Sequence, residues 1–165
     1  MLHGNESHAG HHTSGRLNFE KDMDDIEIRV PENSHGFPVY IWNNPTDRFS
    51  LSVRSPAGEV IARVPAKTGT RLVSKLILER SVVEVSYFFP TSGSGSQLSI
   101  VKIWDPTPGI WTITLNGDIL LDGTYDAWLP ITGNVTEGVE FLLSTPDNTV
   151  VTPATALRNY YLRSI

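Results

Sequence analysis

From residue 26 onward the chain is a succession of short apolar segments separated by turn residues. Apolar residues alternate with charged or polar ones over 26–30 and again over 49–53, as in strands with one buried face. Further short apolar segments lie at 39–41, 60–64, 72–78, 82–88, 98–104, 111–115, 119–121, 125–129 and 139–143. Only 154–163 has a helical pattern, and a weak one. The sequence therefore predicts an all-β fold.

Turn residues between these segments predict how the strands are connected. Residues 44–47 (Asn-Pro-Thr-Asp) and 55–58 (Ser-Pro-Ala-Gly) are rich in the residues that favour turns. Asn116-Gly117 predicts a type I′ hairpin, because both central residues of that turn need a positive φ. Asp122-Gly123 predicts a turn or a bulge. About nine or ten short strands at this spacing predict an antiparallel β-sandwich of the jelly-roll kind.

Composition excludes several classes of function. The chain has 165 residues, enough for one domain with a sizeable core, and no cysteine, which excludes disulfides, thiolate metal sites and a cysteine nucleophile. A net charge of -5, with 13 scattered basic residues, argues against nucleic acid as a partner. No apolar run approaches the ~20 residues that cross a bilayer, and no signal peptide is visible. The cellular compartment stays open.

Two groups of residues have the chemistry of metal ligands, but their spacing favours neither as a site. The first comprises His3, His8, His11 and His12, and the second Asp22, Asp24, Asp25 and Glu27. His8 and His12 have the spacing of a zinc helix, yet glycines around them oppose a helix and no Glu follows His8. The acidic group does not match the calcium-binding EF-hand pattern. We therefore expect no metal ion and no other cofactor.

Four tryptophans are the candidate ligand-binding residues: Trp42, Trp104, Trp111 and Trp128. Jelly-roll domains that bind sugars use exposed aromatic side chains as platforms, so a carbohydrate-binding or protein-binding module is one interpretation. The other interpretation is packing in the core or over a sheet edge, because each tryptophan lies in or beside an apolar segment.

Several short motifs together resemble a known family. They are Gly4-Asn5-Glu6 with His11-His12, Ser55-Pro56-Ala57-Gly58-Glu59, Pro108-Gly109-Ile110-Trp111 and Asp126-Ala127-Trp128-Leu129-Pro130. From residue 4 to about residue 155 the chain resembles subtilisin-like serine peptidases of the clostridial spore-germination kind, in which a jelly roll is inserted between the oxyanion Asn and the catalytic Ser. The resemblance implies a remnant of the catalytic domain at 1–15, the sandwich at 16–145 and a return segment at 146–165.

The resemblance also implies a role for Asn5, whose side-chain amide would stabilise the oxyanion of acyl transfer in the parent enzyme. The chain contains no Gly-Thr-Ser motif around a nucleophile, and Gly93-Ser94-Gly95 lacks both the elbow pattern and a following helix. Because the Asp/His/Ser triad is missing, we expect the chain to be inactive on its own. Trp111 and Trp128 belong to motifs that imply structural roles.

The resemblance implies an accessory function, in which the sandwich braces the protease domain or shapes access to the substrate cleft. Its partner would be the subtilase catalytic domain within the same parent chain. Surface buried against that domain would be an exposed apolar patch here, through which the isolated chain could also self-associate. Residues 157–165 depart from the family pattern, which leads us to expect a truncated or frameshifted product or an excised piece. A bacterial parent in the cytoplasm or the spore fits these features.

Overall fold

The computed structural model describes residues 10–91, 95–130 and 138–143, and these residues form eleven strands and no helix. The strands are β1 (His12–Arg16), β2 (Met23–Val30), β3 (Gly36–Asn43), β4 (Arg48–Arg54), β5 (Val60–Val64), β6 (Arg71–Lys75), β7 (Val82–Phe88), β8 (Gln97–Trp104), β9 (Gly109–Ile119), β10 (Thr124–Trp128) and β11 (Glu140–Phe141). Within those ranges, no helix is long and apolar enough to cross a membrane.

The strands form two antiparallel sheets that make a β-sandwich. The first sheet has the order β1-β10-β3-β8-β7-β6, and the second has the order β11-β2-β9-β4-β5. This confirms the predicted all-β sandwich, with eleven strands in place of nine or ten. β9 contains the predicted segment 111–115 and extends to Ile119, so of the segment predicted at 119–121 only the first residue is in a strand. β1 is not predicted by the sequence pattern, and the expected domain boundary between residues 15 and 16 falls inside it.

The predicted hairpin at Asn116-Gly117 is wrong, because β9 continues through both residues and neither has a positive φ. The buried Asn116 side chain donates to the Ser50 carbonyl oxygen on β4 at 3.2 Å. The Gly117 N–H donates to the Asp22 carbonyl oxygen at 2.8 Å. Bonds from both sides therefore hold this dipeptide extended. The chain turns instead at Gly123, which has a φ of 80°.

The core lies between the facing sides of the two sheets. In β2, for example, Ile26, Ile28 and Val30 are at most 3% exposed, and the charged residues between them point away, as the pleat of a strand requires. Trp111 fills the middle of this core with none of its surface exposed, and its indole N–H donates to the Thr107 carbonyl oxygen at 2.9 Å. The predicted period-two pattern thus identifies the buried face.

Two buried polar side chains connect the sheets through the core. The Tyr87 hydroxyl on β7 donates to the Val64 carbonyl oxygen at 2.6 Å and accepts from the Leu51 N–H at 2.9 Å. Gln97 on β8 donates to the Phe49 carbonyl oxygen at 2.8 Å and accepts from the Phe49 N–H at 3.2 Å. Burial raises the pKa of Tyr87, so its hydroxyl keeps the proton that it donates. These bonds fix the second sheet relative to the first.

Asp47 joins two connections that pass between the sheets. Its carboxylate is fully buried and accepts the backbone N–H groups of Leu121 at 2.7 Å, Asp122 at 3.0 Å and Gly123 at 2.7 Å. Asp47 belongs to the β3–β4 connection, whereas the three donors belong to the β9–β10 connection. At Gly123 any side chain would collide with the Leu17 carbonyl oxygen, so this close approach requires glycine.

Candidate functional site

One end of the sandwich, which we call the base, is where β1 begins and β10 ends. The last described strand, β11, lies near this entry of the chain, because the Phe141 N–H donates to the Gly10 carbonyl oxygen at 2.8 Å. At the base, His12 of β1 pairs with Trp128 of β10. Just beyond them, the Leu129 N–H donates to the His11 carbonyl oxygen at 2.9 Å. The first described residue and the last described strand therefore lie close together, as the two ends of a domain often do. The loops of the base are 31–35, 55–59, 76–81 and 105–108.

Large apolar side chains are exposed on this end. They are Ile77 at 91%, Leu78 at 74%, Ile110 at 45% and Trp104 at 42%, and we call these four the basal apolar residues. A second set of exposed apolar side chains, which includes Phe19 at 93%, lies at the opposite end. Single exposed apolar residues are ordinary on protein surfaces, whereas a group of them marks a candidate interface, and both ends of the sandwich carry such a group.

A carboxylate holds the loop that presents two of the basal apolar residues. Glu59 accepts the Ile77 N–H at 2.6 Å through one oxygen and the Leu78 N–H at 3.0 Å through the other. The sequence predicts a strand through residue 78, but β6 ends at Lys75. Beyond it, the N–H groups of Ile77 and Leu78 bond to the Glu59 carboxylate and not to a neighbouring strand. The two aliphatic side chains are therefore presented by an ordered backbone. The sequence offers no signal for this role of Glu59.

An aromatic cluster lies on the outer face of the first sheet, close to the chain connections. Its buried members are Tyr40, Trp42, Leu98 and Trp128, each at most 2% exposed. On β3 they alternate with Val39 and Ile41, which belong to the main core, so the cluster faces away from that core. Burial raises the pKa of the Tyr40 hydroxyl to about 12. The side chains of this cluster are therefore shielded from water.

His12 joins this cluster through its imidazole. The ring lies 4.1 Å from the Trp128 ring, centroid to centroid, and Nε2 lies 3.0 Å from Oδ1 of Asp126. His12 is only 4% exposed. A histidine enclosed between an indole and a carboxylate fixes β1 against β10, and it is poorly placed to serve as a base for an external substrate.

Asn5, the predicted oxyanion residue, lies outside the described residues, as do His3, His8 and Ser94. Its role stays a prediction. Within the ranges that the structure describes, no group of three or more His, Cys, Asp or Glu side chains is arranged to hold a metal ion.

The acidic residues of β2 are engaged in contacts between strands. Asp24 accepts a hydrogen bond from Lys21 Nζ at 2.8 Å and another from the Tyr125 hydroxyl at 2.7 Å. Asp25 accepts one from the Thr114 hydroxyl at 2.6 Å. Burial, and then the neighbouring Asp24 carboxylate, raise the pKa of Tyr125. These carboxylates connect β2 to its neighbours in the fold.

The structure does not bring the four tryptophans together as one surface. Trp111 lies in the core, and Trp42 and Trp128 lie in the outer cluster. Of the four, only Trp104 has a substantially exposed side chain, at 42%. These four residues therefore form no platform of several exposed tryptophans. The burial of Trp42, Trp111 and Trp128 favours the interpretation as packing residues, and a ligand-binding role stays a prediction. All four lie in strands, so their sequence positions could not distinguish core from surface.

The fold defines a class: an antiparallel β-sandwich of two sheets, in which the start of the described chain is bonded to the last described strand. Among solved structures, the chain is similar to that of the CspB protease of Clostridium perfringens, with 22% sequence identity and a TM-score of 0.74. The match covers 92% of this chain and 31% of that chain, so this chain spans less than a third of that protein. At this identity the similarity shows a shared fold. No protein-family model matches the chain, and no curated protein matches it.

Proposed function

We propose that this chain is the non-catalytic jelly-roll accessory domain of a subtilisin-like serine endopeptidase, where it braces the catalytic domain or shapes access to the substrate cleft. The observation that carries the proposal is the shared fold with part of the CspB protease, over 92% of this chain. The bond between Gly10 and Phe141 supports it, because an inserted domain needs entry and exit points that lie close together. Hydrolysis of peptide bonds belongs to the parent enzyme.

The base is the surface that would meet the catalytic domain. The chain enters the sandwich at the base, so a catalytic domain connected there would lie beyond the base, and the basal apolar residues would then lose their contact with water. Full burial of an aliphatic side chain such as Ile77 or Leu78 contributes about 1.5–3 kcal/mol. Because Glu59 already fixes the backbone of this loop, little conformational entropy is lost on docking.

A short segment of chain would connect the base of the sandwich to the catalytic centre of the parent enzyme. Asn5 precedes the first residue of β1, His12, by seven residues, and seven residues span at most about 25 Å. With Asn5 as the oxyanion donor, the catalytic centre would lie within that distance of the end of β1. Bracing of β1, by its pairing with β10 and by the His12 contacts, would then limit the movement of the donor.

The apolar base gives a testable prediction for the isolated chain. We expect it to self-associate weakly through Ile77 and Leu78, because no catalytic domain covers them. Replacing both (Ile77→Ser with Leu78→Ser) should raise the dimer dissociation constant at least about tenfold, a difference of about 1.4 kcal/mol. Sedimentation velocity over a range of concentrations measures this. Phe19→Ser, at the opposite end, is the matched control and should leave the constant unchanged. Self-association through the base would be contradicted if Phe19→Ser had the same effect as the double replacement, or if the unmodified chain stayed monomeric at every concentration.

A further inference from the structure

β6 is the edge strand of the first sheet, and one of its sides is exposed. In the sheet order it pairs with β7 alone, and its apolar residues Leu72 and Val73 are 39% and 49% exposed. Exposed strand edges accept further strands, because their backbone N–H and C=O groups on that side bond only to water.

The hydrogen bonds between β6 and β7 show which backbone groups of β6 face outward. Tyr87 on β7 donates to the carbonyl oxygen of Thr70, and Leu76 donates to that of Ser81. The register between β6 and β7 is continuous between these points, so the even-numbered residues bond to β7. In an antiparallel ladder, successive residues point their backbone groups to opposite sides. The N–H and C=O groups of residues 71, 73 and 75 therefore point away from the sheet.

The charge of this edge differs from that of the whole chain. The chain carries a net charge of -5, yet residues 67–80 contain four cations and a single carboxylate, Glu79, which is 7% exposed. On β6 itself, Arg71 and Lys75 stand on the same face as Val73. Glu84 of β7 lies on this face and bonds to Arg71 at 2.8 Å, and Lys102 of β8 flanks it on the other side. The edge is locally cationic.

We propose that the β6 edge binds an extended acidic segment of a partner protein by strand addition. Three outward-facing backbone positions supply the ladder, and side chains select the sequence. Partner residues opposite Arg71 and Lys75 are acidic, and the residue opposite Val73 is apolar. The two residues between these positions lie on the other face, beside Leu72. The preferred segment has five residues in the order acidic, apolar, apolar, small or apolar, and acidic. This inference is independent of the proposed protease function.

A second copy of the chain fits this edge less well. Full antiparallel overlap of two β6 strands would place Arg71 of one copy opposite Lys75 of the other, at both ends of the pair. Like charges directly opposite each other across strands are destabilising. Complementary charge therefore favours an acidic partner over self-pairing.

Binding of two labelled peptides to the 165-residue chain tests the proposal. The probe has the core Glu-Ile-Val-Thr-Glu between Gly-Ser flanks, and its control has lysine in place of both glutamates. By fluorescence anisotropy at low salt, we expect the acidic peptide to bind at least about tenfold more tightly, and this preference to shrink as salt screens the charges. The proposal would be overturned if neither peptide binds or if both bind equally.

Two variants show whether the edge is the binding surface. Val73→Pro removes one outward N–H and no bond to β7, so the fold tolerates it as edge strands tolerate proline, and peptide affinity should fall at least about tenfold. Lys75→Glu should abolish the preference for the acidic peptide, because each peptide then meets one opposite and one like charge, and it tests the same surface should Val73→Pro fail to fold. Lys21→Glu, the same charge change at the opposite end, should not alter the preference. Binding by folded Val73→Pro at wild-type strength, or self-association that this change abolishes, would overturn the acidic-partner assignment.

Discussion

Replacing Asp47 by alanine should lower the free energy of unfolding by about 3–5 kcal/mol, because three backbone N–H groups lose the fully buried carboxylate that accepts from them. Those groups belong to Leu121, Asp122 and Gly123, and the bond from Gly123 is fully buried. The lost bonds fasten the β9–β10 connection to the β3–β4 connection, so both crossovers between the sheets loosen together. For a domain with a total stability of about 5–15 kcal/mol, this is a large fraction.

Urea denaturation followed by tryptophan fluorescence measures the change. Asp47→Asn keeps the shape and one acceptor oxygen, and its loss should be intermediate. Asp122→Ala is the matched control, since that carboxylate belongs to the same connection but bonds only to Thr124, and it should cost less than about 1 kcal/mol. An Asp47→Ala variant as stable as the Asp122→Ala variant would show that Asp47 does not fasten the two connections.

In the parent enzyme, Asn5→Ala should lower kcat by about 10²–10³-fold and leave KM nearly unchanged. An oxyanion donor contributes in the transition state and little in the ground state, and the loss of one donor has an effect of this size. The measurement requires a gene product that joins this chain to a complete Asp/His/Ser triad, with a peptide ester or amide as substrate.

The control for this kinetic test lies in the sandwich. Asn33 has a φ of 67° in a surface loop, a conformation that glycine adopts readily, so Asn33→Gly should leave kcat unchanged. Should Asn5→Ala raise KM with kcat intact, Asn5 would be a substrate-binding residue and the oxyanion assignment would fail.

Strands with one buried face could be predicted from the sequence because burial itself leaves the period-two signal. β2 and β4 are clear examples. β1 could not be predicted, since His12–Arg16 contains no apolar alternation and is held by backbone pairing with β10, more than 100 residues away. Asn116-Gly117 has strong turn propensity, but its bonds to β4 and to the Asp22 carbonyl oxygen keep it inside β9. Tertiary contacts here override local propensity.

The candidate site could be predicted only in part, because it is assembled from segments far apart in the chain. Glu59 acts on the loop that contains Ile77 and Leu78, and its position in sequence resembles that of any residue after a turn. Likewise, the sequence identifies tryptophans but not which of them is exposed, since a strand residue faces the core or the solvent according to the packing of both sheets. The resemblance to a peptidase family rests on motifs, and the similarity to the CspB protease shows a shared fold.

The most direct test of the central claim is to sequence the coding DNA on both sides of this chain. The proposed function predicts a catalytic Asp and His encoded upstream of Gly4-Asn5-Glu6, and a Gly-Thr-Ser motif downstream, in frame or restored by one corrected frameshift. Flanking DNA that encodes no peptidase residues in any frame would contradict the assignment as a protease accessory domain, and would leave the β6 edge as the surface to pursue.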